Sequence, residues 1–316
     1  MQGLSKLWRY LVLDPIEKRS LNLFCFRLTT FLHERTSGRT DRYFLQLMSL
    51  LRPARTMAPS RVCRATEMAA TLTHLNERGW AILPWRLSAD EIAEIKRFAF
   101  STPAYASDPR QSIAVQEAAI PREHPRYHWR MSDLVRLPAV QQVVANSAYH
   151  AIAQRYLGCL PRLTSVTLWL DPAFDGIYDA HVYHYDNDGP KFLKFFFYLN
   201  DLDAVSGAHS FIERSHSHIK PRQFAASRRY DRDDLLGHYG ARSEITFAAP
   251  AGTILAEDTA GFHKGTTPRD GYRLLMQMQF AAFDIPHIEE FTVHLNRAHI
   301  GDLDSELRRI TKKFFQ

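Results

Sequence analysis

The apolar positions change period near residue 160. Before it they recur at helical spacing. Leu4, Leu7, Tyr10 and Leu11 share one face of a 3.6-residue period, and Leu21, Phe24 and Leu28 share another. In RGWAILPWRLSADEIAEIKRF the pattern reads as strand, turn and helix. Ser88 and Glu91 form an S-x-x-E capping box, and Ile92, Ile95 and Phe98 give the helix its apolar face. Residues 101–128 are rich in Pro, Ser and His and read as irregular. Ser132 to Tyr149 reads as helix.

From Arg162 onward short β-rich runs follow one another: Leu163–Leu170, His181–Tyr185, Phe192–Leu199, Ser210–Ile212, Glu244–Phe247, Thr253–Ala256 and Tyr272–Ala281. Turn signals separate most of them: Asp-Pro at 171–172, Asp-Gly at 175–176 and 188–189, Ser-Gly at 206–207, Pro-Ala-Gly at 250–252. Many short strands with regular turns predict a sandwich or barrel, not alternating βαβ units. The polar stretch 213–243 reads as a long loop or short helix, and about 288–315 as a pair of helices. The expected division is a basic, mainly helical extension and linker over 1–67, a main domain over 68–283 with its β core at about 162–283, and C-terminal helices over 284–316.

Charge sharpens this division. The net charge of the 316 residues is +6, but residues 1–70 hold 12 Lys/Arg against 5 Asp/Glu. The remaining 246 residues hold 28 against 29, so the β-rich part is neutral. The basic character belongs to the extension, which either packs on the main domain or faces an acidic partner such as coenzyme A, a carrier protein or anionic lipid. No helix-turn-helix, zinc-finger or RNA-binding signature accompanies it, so nucleic acid is not expected. Hydrophobic residues at 45% exclude a disordered chain. Cys25, Cys63 and Cys159 are odd in number and widely spaced, which argues against a disulfide framework and a thiolate zinc site. No apolar run is long enough to span a bilayer, because Lys194 interrupts Phe192–Leu199. A cytoplasmic protein is the expectation.

The chemistry gathers in two segments. HVYHYDNDGPKFLKFFFYLND contains His184 and Asp186 as H-x-D, and on a strand positions i and i+2 share a face. Alone this pattern is common in a chain with 15 histidines. AGTILAEDTAGFHKGTTPRDGYRLLMQMQF brings His263, and ten residues later Arg273 inside an apolar strand. An arginine there needs a partner, and a carboxylate ligand deeper in the barrel would provide one in a bidentate fork. Two histidines and one carboxylate fit the facial triad of non-haem Fe(II) oxygenases.

With these pieces the stretch from about Gly79 to Phe283 resembles the phytanoyl-CoA dioxygenase family of Fe(II)/2-oxoglutarate-dependent oxygenases. The resemblance rests on RGWAILPWRLSADEI, on HYDND with KFLKFFFYLNDLDAVSGAHSFIERSH, and on AGTILAEDTAGFHKG with the following arginine. It implies an α+β fold with a mainly β core, a double-stranded β-helix or jelly roll with flanking helices. It further implies Fe(II) on His184, Asp186 and His263, with 2-oxoglutarate and O2 as co-substrates. Arg273 would grip the far carboxylate of 2-oxoglutarate. Family members often place this arginine eleven residues after the distal histidine, and the gap of ten leaves Arg269 as a substitute. Retention of Asp186 favours hydroxylation or a related oxidation over halogenation, for which relatives replace the carboxylate by a small residue. The expected substrate is a small molecule, with CoA or carrier linkage an option.

Other residues have two readings each. Lys194 binds 2-oxoglutarate or a substrate anion inside the barrel, or faces solvent. Thr266 bonds the same carboxylate as Arg273, or is a turn residue. Trp169 lines the pocket, or fills core. His181 and Tyr183 lie on the face opposite His184, in core or at the surface. His209, His216 and His218 read as polar loop residues rather than a second metal site. Arg130 is a remote candidate for substrate contact. Two alternatives to an oxygenase stay open: a non-catalytic metal-binding jelly roll, and a zinc hydrolase using the same cluster, in which Arg273 has no clear task.

Overall fold

The computed structural model of the chain describes residues 11–12, 21–54, 63–176, 178–217, 219–225 and 229–283. The described helices are α1 (Leu21–Thr36), α2 (Asp41–Leu51), α3 (Ala65–Arg78), α4 (Ala89–Ser101), α5 (Met131–Leu134), α6 (Pro138–Ala145), α7 (Ser147–Leu157) and α8 (Arg232–Tyr239). The strands are β1 (Trp80–Ile82), β2 (Tyr127–His128), β3 (Arg162–Pro172), β4 (Phe192–Tyr198), β5 (His209–Ile212), β6 (Glu244–Thr246), β7 (Ile254–Glu257), β8 (His263–Gly265) and β9 (Tyr272–Ala281). All pairings between these strands are antiparallel. One sheet runs β1-β7-β4-β9-β3-β2 and a smaller one β6-β5-β8. Two antiparallel sheets with flanking helices make the expected α+β architecture, a cupin-like jelly roll.

Side-chain alternation splits the large sheet into two surfaces. Val166, Leu168, Phe195, Phe197, Leu274 and Met276 point to the helical layer and join the main hydrophobic core with Ile95, Val140 and Ile152. The opposite face turns toward the small sheet, and register orders its residues into rows. Glu257, Lys194 and Gln279 form a polar row. Leu255, Phe196, Gln277 and Thr167 come next, then Tyr198, Leu275 and Trp169, and last Arg273 beside Asp171. An apolar cluster that includes Trp169, Phe196, Phe211 and Leu275 closes the space between the sheets.

Local signals explain the helix boundaries. Ser88 accepts from the Glu91 amide at 3.2 Å while Glu91 caps the Ser88 amide at 2.7 Å, the reciprocal box read from sequence. The single helix expected over Ser132–Tyr149 is instead three. Pro138 opens α6 at its first turn, where no amide hydrogen is needed, and Asn146 caps α7 by accepting from the Ala148 amide. The strand expected over His181–Tyr185 is a 3-10 turn at Asp179–His181 followed by isolated bridges, Tyr183 to Tyr230 and His184 to His263. The Asp-Pro at 171–172 does not turn; β3 runs through Pro172, because Asp171 is held by charged partners on β9 and before β2.

Helix α3 starts at Ala65, so the expected boundary at 67/68 falls inside a helix. The described part of the extension packs on the main domain. Arg52 donates to the carbonyls of Ala282 at 3.1 Å, Pro161 at 3.0 Å and Leu160. Leu45 and Met48 pack against the main core. Among the described residues no helix is long and apolar enough to cross a membrane. The helices expected over 288–315 lie outside the described residues.

Candidate metal centre and its chamber

His184, Asp186 and His263 converge. One ligand atom from each lies within 4.8 Å of the others. Two backbone bonds bring the histidines together, since His184 N donates to His263 O at 3.0 Å and His263 N to His184 O at 2.8 Å. Asp186 N donates to Thr259 O at 2.8 Å and fixes the third member. Each imidazole uses Nδ1–H on a carbonyl two residues earlier: His184 on Val182 at 2.8 Å, His263 on Gly261 at 2.9 Å. That fixes the tautomer and turns both Nε2 lone pairs toward Asp186, at 3.9 Å and 3.5 Å from its oxygens. Burial, then the charge of the neighbouring histidine, pulls His263 down to about 3. Burial likewise pulls His184 down. Both rings are therefore unprotonated and ready to ligate at neutral pH.

Asp186 is charged. Burial pushes its carboxyl up, but Lys194 and then both histidines outweigh that and hold it below the carboxylate range. Lys194 Nζ donates to Asp186 Oδ2 at 2.6 Å and lies 3.2 Å from Asp188 Oδ2. The solvent-facing reading of Lys194 is corrected here: it stands on the inner face of β4, buried, and its aspartate partners keep it protonated against the effect of burial.

The triad opens into a chamber of about 240 Å³ whose lining includes Trp169, His209, Gly265, Arg273 and Gln277. Arg273 is buried at the far row. Its partner is not left to a ligand, because the chain supplies one. Nε donates to Asp171 Oδ2 at 3.0 Å, Nη2 to the same oxygen, and Nη1 to Gly207 O at 2.8 Å. Arg126 forks across the same carboxylate, donating from Nε to Asp171 Oδ1 at 2.5 Å and from Nη2 to Oδ2 at 2.9 Å. Two guanidinium groups thus share one carboxylate, and this end of the chamber keeps a net positive charge. Burial opposes ionisation of Asp171, but Arg126 and Arg273 together hold it well below its usual range. A Cβ at Gly265 would overlap the Arg273 guanidinium, so β8 makes room for the arginine two residues after it supplies His263.

Sequence reasoning missed Arg126, Asp171 and Glu257, and misplaced His209. His209 is no loop residue. It is buried on β5, its ring stacks on His263 with centroids 5.5 Å apart, and its Nε2 shares a 3.0 Å hydrogen bond with Glu257 Oε1. His216, in the following turn, bonds Asn76 O, and His218 lies outside the described residues. Trp169 lines the chamber, and among the described residues its Nε1 is buried without a hydrogen-bond partner, as is Thr167 Oγ1. Tyr183 is buried with its hydroxyl on Glu244 at 2.6 Å, and His181 reaches Asp171 at 3.5 Å. Thr266 and Arg269 line a neighbouring cavity instead of the chamber. Arg130 is exposed and contacts Pro109 O.

No protein-family model matches the chain, and no curated protein sequence does. Solved structures do. The epimerase SnoN in complex with Fe3+, alpha ketoglutarate and nogalamycin RO superposes with a TM-score of 0.51 at 15% identity, covering 70% of this chain and 85% of that one. The non-heme alpha ketoglutarate dependent epimerase SnoN from nogalamycin biosynthesis gives 0.51 at 14%, covering 71% and 88%. At this identity the likeness establishes a shared fold.

Proposed function

We propose that the chain is an Fe(II)- and 2-oxoglutarate-dependent oxygenase acting on a small molecule. The observation that carries the reading is the joining of a two-histidine-one-carboxylate cluster and a buried arginine in one chamber. The donor set fits Fe(II), since imidazole and carboxylate on one side leave positions open for co-substrates. SnoN, which shares the fold, holds Fe3+ and alpha ketoglutarate.

His184, Asp186 and His263 would hold the metal, which when bound supplies dioxygen activation coupled to oxidation of the 2-oxo acid. The protein's part is positioning. Gly265 abuts Arg273 and stands two residues from His263, so about 6–7 Å of strand separates the metal side from the cationic side. That suits a short dicarboxylic acid with one end at the metal and the other on Arg273 and Arg126. The unpartnered Trp169 Nε1 and Thr167 Oγ1 offer it hydrogen bonds along the way. Lys194 keeps Asp186 ionised and is a third cation for the co-substrate, after Arg273 and Arg126. Hydroxylation with release of succinate and CO2 is the reaction proposed.

The test is succinate formation by purified protein supplied with Fe(II), 2-oxoglutarate and air. Turnover is expected for the wild type and its loss, together with loss of bound iron, for His184→Ala. Turnover surviving in that variant would refute the reading. The engagement of Arg273 by Asp171 favours one alternative, a metal-binding jelly roll that takes no 2-oxoglutarate. Calorimetry separates the two: metal affinity with no heat from 2-oxoglutarate supports the alternative.

A further inference from the structure

A second cavity, of about 490 Å³, adjoins the metal chamber. Residues adjacent in the chain line the two spaces at two places. Ala180 lines the chamber and His181 the second cavity; Gly265 lines the chamber and Thr266 the second cavity. Arg122, Lys264 and Arg269 all face this space, with Asp175 the only carboxylate in the lining among the described residues. Thr266, Thr267 and His181 add polar groups, and His181 Nδ1 is fixed by Thr267 Oγ1 at 2.7 Å.

What sets these cations apart is that three of them line one cavity beside the metal chamber. Some surface arginines are matched to acids, Arg64 to Glu67, Arg110 to Asp108, Arg229 to Asp179 and Arg232 to Glu244, while others, such as Arg130, meet only a carbonyl. Among the described residues Arg122, Lys264 and Arg269 have no ion pair. Lys264 instead lies over the Tyr183 ring at 4.9 Å, and Glu244, which attracts it, is bonded by Arg232 and Tyr183. Three cations against one carboxylate give this concavity a positive potential that attracts an anion.

We infer that this cavity holds an anionic group of the primary substrate, so that the substrate is a phosphorylated or carboxylated small molecule anchored beside the metal chamber. This rests on the oxygenase reading above. Arg122 and Arg269 supply forked donors for oxyanion oxygens, Lys264 a point charge, and the two threonines neutral hydrogen bonds.

Two measurements on the full chain, loaded with metal and saturated with 2-oxoglutarate, test it. The first is calorimetric titration with inorganic phosphate and, separately, benzoate, which distinguishes the two oxyanion classes. Saturable binding of at least one is expected, weakened about tenfold by Arg122→Ala with Arg269→Ala. No binding of either anion, or binding unchanged in that variant, overturns the assignment. The second is a succinate-release screen of matched pairs, a sugar against its phosphate and an alcohol against its carboxylic acid. Charged members are expected to stimulate turnover. Stimulation by neutral members alone overturns the assignment. If iron and 2-oxoglutarate give no turnover in any condition, the oxygenase reading is what fails, and the titration still reports on the cavity.

Discussion

Lys194 Nζ sits 2.6 Å from Asp186 Oδ2, so the carboxylate of the triad already has a cation of the chain's own. The lysine neutralises Asp186 before any metal arrives. Removing it leaves a half-buried carboxylate without its cation, which a metal would then supply.

Lys194→Met should therefore lower the melting temperature of metal-free protein, with a cost of about 1.5–3 kcal/mol for a charge-assisted hydrogen bond lost at a half-buried carboxylate. Added Mn(II) should then raise the melting temperature more in the variant than in the wild type. Equal metal-induced shifts in the two proteins would show that Lys194 does not balance Asp186.

Asp171 balances two arginines at the other end of the chamber. Asp171→Asn leaves both without a countercharge, a loss of about 3–5 kcal/mol. The same change adds positive charge where a dicarboxylate would lie. Melting curves should show a large drop without 2-oxoglutarate and a larger protection by it than in wild type. An unchanged melting temperature would mean that Asp171 is not what makes the buried arginines tolerable.

Gly265 is needed for its missing side chain, not for a turn. In Gly265→Ala the new methyl occupies the Arg273 guanidinium position. Affinity for 2-oxoglutarate should fall about tenfold or more, while metal affinity, set two residues away, stays within about twofold. The comparison needs only two calorimetric titrations. Loss of both affinities together would place the damage in the strand as a whole.

Glu257 gives a pH signature in metal-free protein. Burial pushes it up to about 8, against the pull of His263, while an unfolded glutamate titrates near ~4.3. A raised carboxyl contributes stability that is complete below the unfolded value and is lost as pH rises through the folded value. Glu257→Gln removes that loss. Its melting temperature relative to wild type should climb between pH 5 and pH 9, by ~2–4 °C for each kcal/mol. A flat difference across that range would show that Glu257 ionises normally.

What the sequence disclosed follows the range of each interaction. Helical spacing, strand alternation and the capping box at Ser88 depend on neighbours in the chain and are legible there. The H-x-D and the distal histidine are legible because metal ligation restricts residue type. The Arg126–Asp171–Arg273 network is not. Its members lie 45 and 102 residues apart, and Asp171 precedes a proline, which looks like a turn. His209 was misjudged for a related reason. A four-residue strand after a Ser-Gly turn is too short to show its alternation, so burial could not be inferred.

The two faces of β9 carry separate instructions in one stretch of chain. Leu274, Met276 and Met278 answer to the helical layer, while Arg273, Leu275 and Gln277 answer to the chamber. Codons at odd and even positions can then vary under different pressures. A library confined to Thr167, Leu275 and Gln277 samples new chamber shapes while the foundation beneath them stays intact. A single-residue deletion in β9 would exchange the two sets and destroy both at once.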